Sequence, residues 1–237
     1  MLRAGPVTGL AGAVERLGEI RDSTAQAAPE CGIAQFSDLY LTITASIQAH
    51  IRAGDLFADN DYLARLDVAF ANRYFDALRA WAGGRPAPEC WTLIFDLTDD
   101  GETTAVQLAA GGVNAHINLD LAVAVVDTGR EFGDAGLAAG TRRADYGKVN
   151  DVFAEQMDTL LRRLIEHRAG RGERIDHLSL LGRMMTGVVA IARRHAWEDA
   201  ESLWPLPRRS EDWKAREHQM DALACWLGRR LLVDFPG

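Results

Sequence analysis

The chain has 237 residues, 48% apolar and 25% charged, with Lys+Arg 26 against Asp+Glu 34 and a net charge of −8. A chain of this length buries roughly 70% of its unfolded surface without a disulfide or metal staple, and this composition excludes disordered, collagenous and disulfide-dense classes. An acidic surface argues against nucleic acid and anionic membranes as partners, because both need a basic footprint.

The rhythm is helical nearly throughout. Leu10, Val14, Leu17 and Ile20 form a first amphipathic stripe, predicting a helix over residues 6–23 that sits at the periphery. Pro29-Glu30-Cys31-Gly32 breaks it, and Ser37 offers an N-cap for a second helix over 37–53. Asp59-Asn60-Asp61 starts the third, where Leu63, Leu66, Phe70, Tyr74, Leu78 and Trp81 recur at spacings of three and four until Gly83-Gly84. Residues 91–97 read as a short helix or a strand, and Asp99-Asp100-Gly101 as a turn.

Residues 103–130 are apolar on nearly every side, as expected of a helix at the centre of a bundle. Gly111-Gly112 inside it marks either close packing or a kink. A Gly-rich connection follows over 133–143, then helices over 145–167 and 176–203 with a loop at 169–172, and a last helix capped by Ser210 and running to about 232. The expectation is one all-α domain over 1–237, a bundle of seven or eight helices around a buried central helix.

No run approaches the ~18 apolar residues that span a bilayer, and the N-terminus lacks a signal-peptide apolar region. Cys31, Cys90 and Cys225 are odd in number and widely spaced, which points to reduced thiols in a cytoplasm. The glycine-rich nucleotide motifs, HExxH, the Glu-x-x-His pair of di-iron bundles, GxSxG and CxxCH are all missing, so no cofactor is expected.

Polar residues on apolar faces carry the functional signal, because burying them is costly without partners or a purpose. His116 and Asp120 are four apart on one face of the most apolar helix, with Ala109, Val113, Val123 and Asp127 on the same stripe. A carboxylate that orients an imidazole makes an acid–base unit, and the same spacing also suits a metal. Asn114 and Asn118 lie on nearly the opposite face. Asp67 sits among Leu63, Leu66, Phe70 and Tyr74. His195 follows an apolar stripe and precedes Asp199 by four, repeating the His-x-x-x-Asp arrangement. Six tryptophans are mostly core anchors, a few of them suited to lining an apolar pocket.

Residues 61–78 (DYLARLDVAFANRYFDAL), 114–121 (NAHINLDL) and 145–150 (DYGKVN) resemble a family common in actinobacteria that is known only as domain of unknown function 5995, over roughly residues 36–204. The resemblance brings no established activity. It emphasises Asp67, Asn114, His116, Asn118, Asp120 and Asn150, the same misplaced polar groups. In that family the position of Leu119 is often a second histidine and that of Ala122 often proline. Their replacement here weakens a metal reading and fits a diverged member recruited to natural-product biosynthesis.

The expected function is a small-molecule enzyme doing cofactor-independent acid–base chemistry, a cyclisation or isomerisation, on an apolar substrate. His116, Asp120, Asp67 and Asn114 would be catalytic, and Asn118, Tyr74, Asn150 and Trp197 would contact the substrate. The first alternative is a metal-dependent, phosphoesterase-like hydrolase with His116, Asp120, Asp67 and His195 or Asp151 as ligands. The second is a non-enzymatic ligand-binding protein. The expected partner is a small apolar molecule, with no nucleic acid and no membrane, and the reading leaves room for a homodimer.

Overall fold

A computed structural model describes residues 5–28, 31–97, 103–137, 140–169 and 178–233. The predicted turns at Pro29-Glu30 and Asp99-Asp100-Gly101, most of the loop after Ala169, and His177 lie outside the described residues. The described residues are all-α: α1 (Leu10–Ala27), α2 (Gly32–Ala53), α3 (Asn60–Ala82), α4 (Glu89–Phe95), α5 (Ala105–Ala115), α6 (Leu121–Glu131), α7 (Thr141–Ala169), α8 (Leu178–Leu203) and α9 (Glu211–Val233). A π-turn over His116–Asp120 joins α5 and α6 into one rod. The described residues thus form eight rods in one fold, and the central rod meets α2, α3, α8 and α9.

Caps and sequence agree at three starts. Asp59 accepts from the Tyr62 N–H, Ser210 from the Trp213 N–H, and Thr104 forms a reciprocal capping box with Gln107. The ambiguous segment 91–97 is helical as far as Phe95, in α4, which starts after Pro88.

Three starts differ from expectation; α7 begins at Thr141, inside the expected connection over 133–143, rather than at 145. The first helix begins at Leu10 rather than 6, because the Val7 backbone is clamped by the Asn72 amide through bonds of 2.8 and 2.9 Å. Its inner face is not peripheral, since Ala13 and Leu17 are fully buried in the common core. The second helix begins at Gly32, capped by Cys31, and Ser37 lies inside it, its hydroxyl sharing a hydrogen bond of 2.8 Å with Tyr74.

Gly111 and Gly112 serve close packing. A Cβ on Gly112 would come within 2.5–2.7 Å of Phe36, and one on Gly111 within 2.5 Å of Ile94. The rod over Val106–Glu131 is long and apolar enough to cross a membrane by length and composition, with a mean hydropathy of 1.3. However, 78% of that window is buried inside the protein, as befits a core helix. All three cysteines are buried and free.

Candidate functional site

The π-turn carries the candidate site. Leu121 N–H donates to the His116 carbonyl five residues back, which widens the helix over His116–Asp120. Such turns are rare inside helices and concentrate at functional sites. Within it, His116 Nδ1 lies 3.0 Å from Asp120 Oδ2. The same oxygen accepts from Trp91 Nε1 at 2.9 Å, and Oδ1 accepts from Arg73 Nε at 2.9 Å. Burial alone would raise the Asp120 carboxyl, but Arg73, His116 and Trp91 outweigh it and hold it below its usual range. An ionised carboxylate only accepts, so His116 Nδ1 carries the proton. Burial also holds the imidazole below its ordinary value, against the pull of Asp120. The ring is therefore neutral at pH 7, and its lone pair sits on Nε2.

That Nε2 is buried and has no partner. The ring is fixed from both sides: it stacks on Phe70 with centroids 3.4 Å apart at 7°, and Tyr40 meets it edge-on at 4.6 Å. His116, Tyr40, Phe70, Asp67 and Arg193 all line one cavity of about 40 Å³, otherwise walled by aliphatic and aromatic side chains. Burial pushes the Asp67 carboxyl up to about 7, although the Arg193 charge pulls it down. Asp67 Oδ2, the Tyr40 hydroxyl and Arg193 Nε are buried without a hydrogen bond of normal geometry. Most buried polar atoms in folded proteins are paired, so four open ones on a single cavity require an explanation.

The other predicted residues lie elsewhere. Asn114 Nδ2 donates to the Ala224 carbonyl at 2.7 Å and ties the rod to α9 on the far face, while Asn118 Nδ2 donates to Asn114 Oδ1 at 2.9 Å within the rod. Tyr74 is bonded to Ser37 and packs behind the cavity against Phe36 and Trp91. Asn150 is half-buried with an unpaired Oδ1, while its neighbours Val149 and Phe153 line the cavity instead. Trp197 is buried but set against Tyr146, with its indole N–H on Glu201 at 3.0 Å. Asp151 is exposed.

His195 is corrected outright. It is exposed and pairs with Glu198 at 3.0 Å, whereas Asp199 pairs with Arg216 at 2.6 Å. The second His-x-x-x-Asp pair is not formed, and the set His116, Asp120, Asp67 and His195 does not assemble. Among the described residues no three His, Cys, Asp or Glu side chains gather as metal ligands. Asp127 also leaves the His116 stripe and pairs with Arg208 at 2.9 Å.

Arg193, Tyr40, Arg73 and Trp91 complete the site without having been singled out. Arg193 had a signal: it falls in helical phase with Val189, Ala196 and Ala200, all buried, so a charge stood on an apolar line. Tyr40 read as an ordinary core aromatic, and nothing local joins Arg73 or Trp91 to Asp120.

No curated protein and no solved structure matches this chain. A family model does match, over residues 10–234, wider than the 36–204 suggested by motifs alone. The chain belongs to that family, described as a family of unknown function (DUF5995).

Proposed function

We propose that this protein is a cofactor-independent acid–base catalyst that moves a proton on a small apolar substrate, an isomerisation or cyclisation. The observation that carries this reading is that His116 Nε2 and Asp67 Oδ2 are both buried without a hydrogen-bond partner and that both residues line one apolar cavity. Two titratable groups whose surroundings push one towards base and the other towards acid are the usual mark of acid–base assignments. Neutral His116 takes a proton from substrate carbon. Asp120 stabilises the imidazolium that results, and Arg73 and Trp91 keep Asp120 ionised and oriented. Asp67, held protonated below about pH 7, supplies or receives the other proton.

A purely structural polar core would pair these atoms with each other, as Asn114 and Asn118 pair on the far face. A metal-dependent hydrolase has less support, since the described residues offer no clustered ligand set. Free buried cysteines suit the cytoplasm, and the replacement of the family's second histidine at Leu119 suits a member recruited to natural-product biosynthesis.

The test uses a mixture of small metabolites in D2O, with mass spectrometry for protein-dependent deuterium at carbon. Wild type is expected to label one or more compounds and His116→Gln to label none. Equal labelling by His116→Gln overturns the reading, as does no labelling by wild type. The labelling rate should be bell-shaped in pH. Its acid limb follows protonation of His116 below 6.5, and its alkaline limb follows loss of the Asp67 proton at about 7.

A further inference from the structure

We infer that the cavity takes a small, neutral carbonyl compound, its oxygen received by the Tyr40 hydroxyl and Arg193 Nε–H and its adjacent carbon set against His116 Nε2. This rests on the acid–base reading and specifies its substrate.

The donor and acceptor inventory is decisive. Tyr40 comes from α2 and Arg193 from α8, and both line the cavity that His116 enters from the π-turn; Arg193 Nε and the Tyr40 hydroxyl, which has Thr44 beside it, are buried without a hydrogen bond of normal geometry. Arg193 is anchored behind: its Nη2 donates to the Tyr146 carbonyl at 2.8 Å, and the Tyr146 hydroxyl donates back to the Arg193 carbonyl. The guanidinium is therefore held in place before any ligand arrives. A carbonyl oxygen needs only donors, and a carbon acid beside it needs only an acceptor. A hydrocarbon would leave all four polar atoms unpaired. A carboxylate would draw the Arg193 charge to itself already in the ground state, whereas a neutral carbonyl reserves that charge for the oxygen that turns negative in the transition state. An alcohol would pair with the same atoms, but its oxidation needs an acceptor that none of these side chains supplies.

The step balances. His116 Nε2 removes the proton from the carbon next to the carbonyl. The C–H electron pair forms the new C=C bond, and the C=O π pair moves onto oxygen. Tyr40 and Arg193 hold the oxyanion, which Asp67 can protonate. His116 then returns its proton to the same or a conjugated carbon, and oxygen surrenders its own. The Arg193 charge is worth most when the oxygen turns negative, so its stabilisation falls on the transition state.

The experiment follows α-proton exchange of acetone, butan-2-one and cyclopentanone in D2O by proton NMR, with wild type and Tyr40→Phe. Wild type is expected to accelerate exchange of at least one ketone, and Tyr40→Phe to lose about 100-fold, the usual effect of one oxyanion donor. No acceleration of any ketone, or full activity in Tyr40→Phe, overturns the inference. A wild type that labels only compounds lacking a carbonyl, in the metabolite mixture above, overturns it while leaving the acid–base reading intact. If Tyr40→Phe loses the His116 Nδ1–H resonance and is misfolded, carbonyl-¹³C cyclopentanone bound to wild type decides. A downfield carbonyl shift on binding is expected, and an unchanged one overturns the inference.

Discussion

Asp67 has the most direct physical consequence of any single residue. Its carboxyl is pushed up to about 7 by burial, against ~3.9 in an unfolded chain. The folded state therefore holds the Asp67 proton more tightly than the unfolded state. The stability it contributes is full below pH ~4 and is lost as pH rises through the folded value, a loss of about 4 kcal/mol by linkage. Asp67→Asn keeps the shape and cannot ionise. It should match wild type near pH 4 and exceed it by several kcal/mol at pH 8, read from urea unfolding at both pH values. Identical pH dependence in the two proteins would show that Asp67 is not the buried acid. His116 runs the other way. Its lowered folded value gives stability present above pH 6.5 and lost as pH falls, so Asp67→Asn should still weaken in acid. His116→Ala is a poorer probe. The ring is stacked between Phe70 and Tyr40, so its removal costs packing whether or not it is catalytic.

Glycines separate packing from flexibility within the helices. Gly112→Ala would drive a methyl into Phe36, including its Cβ, which cannot swing aside. A loss of about 1–3 kcal/mol is expected, the usual cost of overpacking. Gly147, inside α7, has open space where a Cβ would stand, with nothing within 4 Å, so Gly147→Ala should gain up to about 1 kcal/mol from helix propensity alone. Chemical denaturation of both variants checks the pair, and a neutral Gly112→Ala would remove the close-contact account of the central rod. Apolar periodicity and caps made most helices legible, because those signals are local. The π-turn has no compositional signature. Its widened turn rotates everything after Asp120, which is why Asp127 reaches Arg208 at the surface instead of the His116 stripe. Ser37 misled for a related reason, since a hydroxyl that suits an N-cap also suits a buried bond to a distant tyrosine. The His116–Asp120 pair and the misplaced Asp67 were visible as spacing and burial conflicts. The partners that define their chemistry, Arg73, Trp91, Tyr40 and Arg193, come from other helices, and only tertiary packing brings them there.

The molecule as a whole must open to work. Its cavity of about 40 Å³ has room for only a few water molecules, whereas pockets for drug-sized ligands run to ~300–1,000 Å³. Ile43 and Ile47 of α2 and Val149 and Phe153 of α7 wall the same cavity, so parting these two helices exposes it. Polar bridges hold that seam from outside: His50 Nε2 to Glu155 at 3.3 Å and Gln156 to Ser46 at 3.3 Å. Hydrogen bonds to Asp55 and Glu155 raise the His50 value, so the bridge is charged in mild acid and weakens as pH rises. Binding should then be limited by opening rather than by encounter. The rate for cyclopentanone, followed by stopped-flow fluorescence of Trp91 near His116, is expected to level off as ligand increases. An exposed pair contributes at most about 1 kcal/mol, so Glu155→Gln should raise that ceiling by no more than about 5-fold and flatten its pH dependence. A rate that stays linear in ligand would mean the cavity is already open to solvent. A ceiling unmoved by Glu155→Gln would place the opening at another seam.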